Sequence, residues 1–158
     1  MNGIIELIFI TFLPFLELRA SIPYGILGLE MNWITVFFVC VITNIILGIV
    51  LFLFMRIILK ILTKIKFIEK IWTKYVEKTQ KKIRGAVEKY GEWAVAIFIG
   101  IPLPGSGVYS GALAAYLIGL NFKKFIIANI VGVLIAGVIV TIISLTGASA
   151  FSFFLKMI

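Results

Sequence analysis

Four long apolar blocks, residues 3–29, 32–55, 93–120 and 122–147, set the limits on what this sequence can fold into. Each exceeds the ~20 residues that a helix needs to cross the ~30 Å hydrocarbon core of a bilayer. A domain surrounded by water has no place for so much continuous apolar chain, so lipid is its natural solvent. Composition agrees: 62% of the 158 residues are hydrophobic, where soluble domains hold about half. Only 14% are charged, and most of these lie in the middle of the chain.

The blocks are of two kinds. Residues 32–55, NWITVFFVCVITNIILGIVLFLFM, are uninterrupted and predict a spanning helix, as do residues 122–147. Asn44 and Gly48 in the first, and Asn129, Gly132 and Gly137 in the second, suit close helix packing, with an amide free to bond across helices. Residues 3–29 are too long for one simple span and carry Pro14, Glu17, Arg19, Ser21, Pro23 and Gly25 at their centre. Residues 93–120 repeat that character with Pro102, Pro104, Gly105, Ser106, Gly107, Ser110 and Gly111. Proline removes a backbone donor and clashes with the preceding turn, so both blocks should break at membrane depth. Broken backbone survives there only where protein or water satisfies it. The expectation is two re-entrant hairpins, each entering and leaving by one face.

Between the halves, apolar residues from Ile58 to Tyr90 recur at helical spacing, while Lys66, Lys70, Lys74, Lys78 and Lys82 stand four apart. A like-charge stripe suits an amphipathic helix on anionic lipid better than one in water. Eleven of the fifteen Lys and Arg residues lie between Arg56 and Lys89, which places that segment in the cytoplasm. With re-entrant hairpins, Lys123 and Lys124 join it there; with four full spans they would lie outside. Charge therefore favours an all-α membrane protein built as an inverted repeat, a design found in transporters. Its parts are a single membrane domain with hairpin 1 over residues 1–31, a spanning helix over 32–56, a basic amphipathic helix over 57–91, hairpin 2 over 92–120, a second span over 121–147 and a tail over 148–158. The first block lacks the basic flank and small-residue cleavage site of a signal peptide, so residue 1 is expected in the mature chain.

The chain has one cysteine, Cys40, and no histidine. This excludes internal disulfides, Cys/His metal sites and His-based nucleophile pairs. No phosphate-loop, dinucleotide or nucleic-acid motif is present. An enzyme, a metal and a cofactor are therefore not expected; the +8 net charge is read as topology and anionic lipid contact. The chemistry left is that of Glu17 and Arg19, because an ionisable group at membrane depth costs several kcal/mol unless paired or hydrated. At i, i+2 they pair directly only on a broken backbone; either they fix the hairpin, or Arg19 binds an anionic group while Glu17 carries a proton. In the second hairpin, backbone N–H groups converging at a helix start attract anions, and Ser106, Tyr109 and Ser110 add hydroxyls. The same small residues also serve tight packing.

The stretches LPFLELRASIPYGI at 13–26 and IPLPGSGVYSGALAAYLIG at 101–119 resemble the paired signatures of the small multidrug export protein family. More distantly they resemble the DedA or VTT-domain (SNARE-associated) superfamily. The resemblance implies an inverted pair of re-entrant hairpins, with Glu17, Arg19 and Pro23 matching the first motif and Pro102, Pro104, Gly105, Gly107 and Gly111 the second. It implies movement of phospholipids or polyprenyl phosphates across the bilayer, often proton-coupled. Gly, Ser and Tyr stand where the superfamily carries arginines after its second proline motif. The function expected is a small transporter of an amphipathic anion, in contact with membrane lipids and working as a homodimer. Its site would be Glu17, Arg19, Ser21 and Pro23 with Pro102, Pro104, Gly105, Ser106, Gly107, Tyr109, Ser110 and Gly111. The alternatives are a proton-coupled exporter of hydrophobic cations and a non-transporting scaffold.

Overall fold

A computed structural model describes residues 2–14, 16–62, 90–102 and 106–156, and among these the chain is all helix with no strand. Helix α1 covers Asn2–Phe12 and α2 covers Glu17–Pro23, which runs on into a wide π turn over Tyr24–Gly28. Then come α3 over Trp33–Leu62, α4 over Glu92–Gly100, α5 over Val108–Leu117 and α6 over Phe122–Lys156. The lysine stripe falls outside the described residues, as do Pro104 and Gly105.

Two helices meet the length and hydropathy of a membrane span, Trp33–Met55 and Phe122–Gly147. At 1.5 Å per residue the shorter of them is about 35 Å long, enough for the hydrocarbon core. Burial is inverted relative to a soluble protein. Phe9, Ile5 and Ile143 are more than 60% exposed, while Glu17, Asn44, Asn129, Thr11 and Ser21 are buried. Such an apolar exterior has a favourable solvent only in lipid.

α3 and α6 pack antiparallel, each turning one face of small and polar residues inward. Along α6 the buried positions are Phe125, Ala128, Asn129, Gly132, Val133, Ala136, Gly137, Val140, Thr141 and Ser144, a helical stripe. Small residues matter because, in lipid, close backbone approach replaces the hydrophobic effect as the association force. A Cβ on Gly48 would lie 2.4 Å from the Asn129 amide oxygen, and Asn129 Nδ2 donates to the Ile45 carbonyl at 3.0 Å. One turn on, the Phe52 ring stacks on Phe125 at 4.3 Å and meets Phe122 and Tyr116.

The two Pro-bearing blocks are antiparallel helix pairs. In the first, Thr11 donates to Ser21 at 2.7 Å, Tyr24 donates to Glu6 at 3.0 Å, and Gly3 abuts Leu29 and Met31. Its tip is therefore the break at residues 13–16. In the second, Gly111 of α5 packs on Ile99 of α4, and the bend lies between Gly100 and Val108. Pro14 sits in a break as its chemistry requires, but Pro23 does not break its helix. The chain passes it and widens into the π turn, where Leu29 N–H reaches back to the Tyr24 carbonyl at 2.9 Å. A wider turn relieves the crowding that a proline ring creates.

Backbone devices recur in the two halves. Glu17 and Gly107 both have positive φ, +47° and +123°, where the returning helix starts. Glu30 and Gly119 share it, at +50° and +70°, in the turn before each span. Asn32 and Asn121 then accept the N–H of Ile34 and Lys123, capping α3 and α6 alike. The helices are longer than the sequence blocks: α3 continues beyond residue 56, and α6 runs without interruption through the stretch read as a separate tail.

Candidate functional site

The two breaks face each other, and the polar residues between them are joined across the halves. Breaking a helix in an apolar interior exposes carbonyls at one end and N–H groups at the other, each needing a partner. Hairpin 1 supplies partners of the right sign. The Glu17 carboxylate, 3% exposed, accepts from Val108 N–H at 3.2 Å and Tyr109 N–H at 3.4 Å, the first N–H groups of α5. Negative charge at a helix N-terminus also complements the macrodipole. The Arg19 guanidinium donates to the Ile101 carbonyl at the end of α4, at 3.0 Å, and to the carbonyl and hydroxyl of Ser106. Tyr109 returns the favour, its hydroxyl donating to the Phe12 carbonyl of α1 at 2.5 Å.

Glycine at 107 is part of this geometry. A Cβ there would fall 2.5 Å from one Glu17 carboxylate oxygen and 2.7 Å from the other. Its φ of +123° with ψ of −170° belongs to a region that only glycine occupies readily. Glu17 itself opens α2 in a left-handed conformation, which costs a non-glycine residue roughly 1–2 kcal/mol. That conformation aims its side chain at the other hairpin.

The residues expected in the site divide accordingly. Glu17, Arg19, Ser106, Gly107 and Tyr109 come together. Pro102 is half-buried just after Ile101. Ser21 is bound to Thr11 and to the Glu17 carbonyl, Ser110 donates to the Gly107 carbonyl, and Gly111 packs on Ile99, so these three serve the hairpins' own packing. Pro23 sits in the continuous helix. Glu17 and Arg19 do not pair with each other; among the described residues the ion pair is Lys124–Glu92, at 3.2 Å on the surface. There the Glu92 backbone N–H, then Lys124, hold the Glu92 carboxyl below the usual carboxylate range.

One buried polar residue near the middle of the first span reads in sequence only as a packing residue. Asn44 of α3 is 1% exposed, and its Oδ1, like that of Asn129, is buried without a hydrogen-bond partner. The signal available in the sequence was an amide in an otherwise unbroken apolar span, which does not say what it faces.

This geometry lies within a stretch that matches a known family. The family model described as "Putative small multi-drug export protein" matches residues 17–139, from Glu17, just after the first break, through the first span and the second break into most of the second span. The chain belongs to this small multi-drug export family. A search of curated proteins and a search of solved structures each returned no match. None of these comparisons links the chain to the DedA superfamily. An export family's signature together with two helices of spanning length and an apolar exterior marks this small multi-drug export family member as a membrane protein.

Proposed function

We propose that this protein is a small transporter that moves an amphipathic anion, such as a lipid or polyprenyl phosphate, between the hairpin tips. One observation carries the reading: the Glu17 carboxylate lies on the α5 N-terminus, with the Arg19 guanidinium of the same helix bound to the adjoining turn. A carboxylate on backbone N–H groups occupies the position an anionic headgroup would take. Protonating Glu17 removes its charge, loosens the cap and frees Val108 and Tyr109 N–H for the substrate. Arg19 then steers the anion, its Nε being buried without a partner in the closed form. The protein works by binding and release; no bond of the substrate is made or broken.

The frame is an inverted repeat of re-entrant hairpins, supported by the matching positive-φ positions and helix caps of the two halves. The ends of hairpin 2 and the basic segment face the cytoplasm, and hairpin 1 opens to the other side. A chain with two spans has little wall to enclose a pathway, so a homodimer completes it, with membrane lipids around it.

A second reading has the family's description in its favour: export of hydrophobic cations in exchange for protons, with Glu17 as the exchanging carboxylate. Liposomes holding the full chain separate the two. Flipping of a fluorescent lipid phosphate is compared with uptake of a cationic dye, for wild type, Arg19→Lys and Glu17→Gln. The proposal expects lipid flipping that both substitutions reduce at least tenfold. Dye transport abolished by Glu17→Gln, with no lipid flipping, overturns it in favour of cation export, and movement of neither substrate favours a scaffold.

A further inference from the structure

We propose that Tyr109 is the strap that keeps the site between the hairpin tips shut, and that departure of its hydroxyl from the Phe12 carbonyl is the first step of opening. The inference rests on reading the tips as the substrate site. In an unbroken helix the Phe12 carbonyl would accept the N–H of residue 16. Leu16 N–H turns instead to the Leu13 carbonyl at 3.3 Å, where Glu17 N–H also bonds at 3.2 Å. The Phe12 carbonyl, at the end of α1, is taken by the Tyr109 hydroxyl of α5 at 2.5 Å. The same tyrosine gives its backbone N–H to the carboxylate of Glu17, at the start of α2. One residue of hairpin 2 therefore holds both sides of the break in hairpin 1.

Hairpin 2 is held in a matching way by a residue of hairpin 1. The Ile101 carbonyl, at the end of α4, accepts from the Arg19 guanidinium at 3.0 Å and from the Ser106 hydroxyl at 2.6 Å, and that hydroxyl accepts from Arg19 in turn. The holds differ in strength and in place. Arg19 and Glu17 act through charge-assisted bonds, roughly twice as strong as a bond between neutral groups such as the Tyr109 hydroxyl and the Phe12 carbonyl. The bond from Val108 N–H to Glu17 is buried, whereas the Tyr109–Phe12 bond lies at the surface, where the Phe12 side chain is exposed. A closure parts where it is weakest and outermost. The Tyr109 hydroxyl therefore leaves first, by rotation of its own side chain, while its N–H still holds Glu17; release of the Glu17 carboxylate follows.

The test is the reaction rate of a buried cysteine with a small water-soluble thiol reagent, in the full chain in mild detergent far below its unfolding transition. Val108→Cys in a Cys40→Ala chain places that thiol at the first residue of α5, where Val108 is fully buried. Tyr109→Phe deletes the hydroxyl and keeps the ring and the N–H on Glu17. The expected result is labelling about threefold or more faster in Tyr109→Phe than in its parent, the worth of one neutral hydrogen bond. Gly119→Ala, which strains the backbone in the turn before α6 and meets nothing within 4 Å, should leave the rate at the parent's level. Equal rates with and without the hydroxyl, an equal rise in Gly119→Ala, or no labelling in any of the chains overturn the inference. Leu18→Cys, 1% exposed in α2, replaces the reporter if Val108→Cys does not fold. No substrate enters the assay, so liposomes that move neither lipid nor dye refute the transport reading and leave the strap standing.

Discussion

Replacing Gly107 by alanine challenges the contact between the halves at its tightest point. The new Cβ would stand 2.5 and 2.7 Å from the two Glu17 carboxylate oxygens and 2.9 Å from the carboxylate carbon, so the carboxylate must leave. Its departure strips Val108 and Tyr109 N–H of their acceptor, each orphaned donor costing about 1–3 kcal/mol. Backbone strain at φ +123° adds about 1–3 kcal/mol. Together these come to about 3–9 kcal/mol, a large share of the ~5–15 kcal/mol that holds an ordinary domain folded. The assay is built into the chain. Cys40 is its sole cysteine and is fully buried, so a fluorogenic maleimide reports unfolding in detergent as that thiol appears. Gly119→Ala is the control, because φ there is +70° with nothing within 4 Å of a Cβ, leaving only backbone strain of about 1–2 kcal/mol. A Glu17→Ala background completes a double-mutant cycle, in which Gly107→Ala should cost only its strain. The reasoning is refuted if Gly107→Ala costs no more than Gly119→Ala, or costs the same with and without the Glu17 carboxylate.

Three further outcomes are expected. Gly48→Ala pushes a methyl into the Asn129 amide and should cost about 1–3 kcal/mol, recovered in part when Asn129→Ala clears the space; the Cys40 unfolding assay measures both. Arg19→Ala removes the guanidinium's bonds to the Ile101 and Ser106 carbonyls and should cost about 1.5–3 kcal/mol, with Arg19→Lys intermediate in the same assay because it keeps the charge without the fork. The Glu92 carboxyl is held below its unfolded value, so its contribution is present above that value and lost as pH falls through the folded one. Unfolding midpoints should therefore sag on acidification in wild type and less in Glu92→Gln, with no difference in the pH trend from neutral upward.

The sequence carried the architecture further than the site. Unbroken apolar runs of spanning length translate directly into α3 and α6, because in lipid a helix is the one way to satisfy a lone stretch of backbone. Pro14 marked its break correctly, since the chain there also had to reverse. Pro23 misled, because a proline near a helix end can be absorbed by a wider turn, a choice that packing against α1 and α3 decides. Glu17 and Arg19 stood out by their cost, yet their partners lie some ninety residues away in the other half, and no local spacing names them. Asn129 reads in sequence like Asn44, and only the tertiary arrangement shows that its amide meets the Ile45 carbonyl of the other span.

The account turns on the two helix pairs dipping into the bilayer from opposite faces. Sided labelling of single cysteines in a Cys40→Ala chain, with a membrane-impermeant maleimide applied to sealed vesicles, tests this. Asn2→Cys and Glu30→Cys flank hairpin 1 and should label from one face, while Asn121→Cys, beyond hairpin 2, should label from the other. If Asn2→Cys and Glu30→Cys instead label from opposite faces, the first block crosses the membrane as a full span and the central meeting of the tips is wrong.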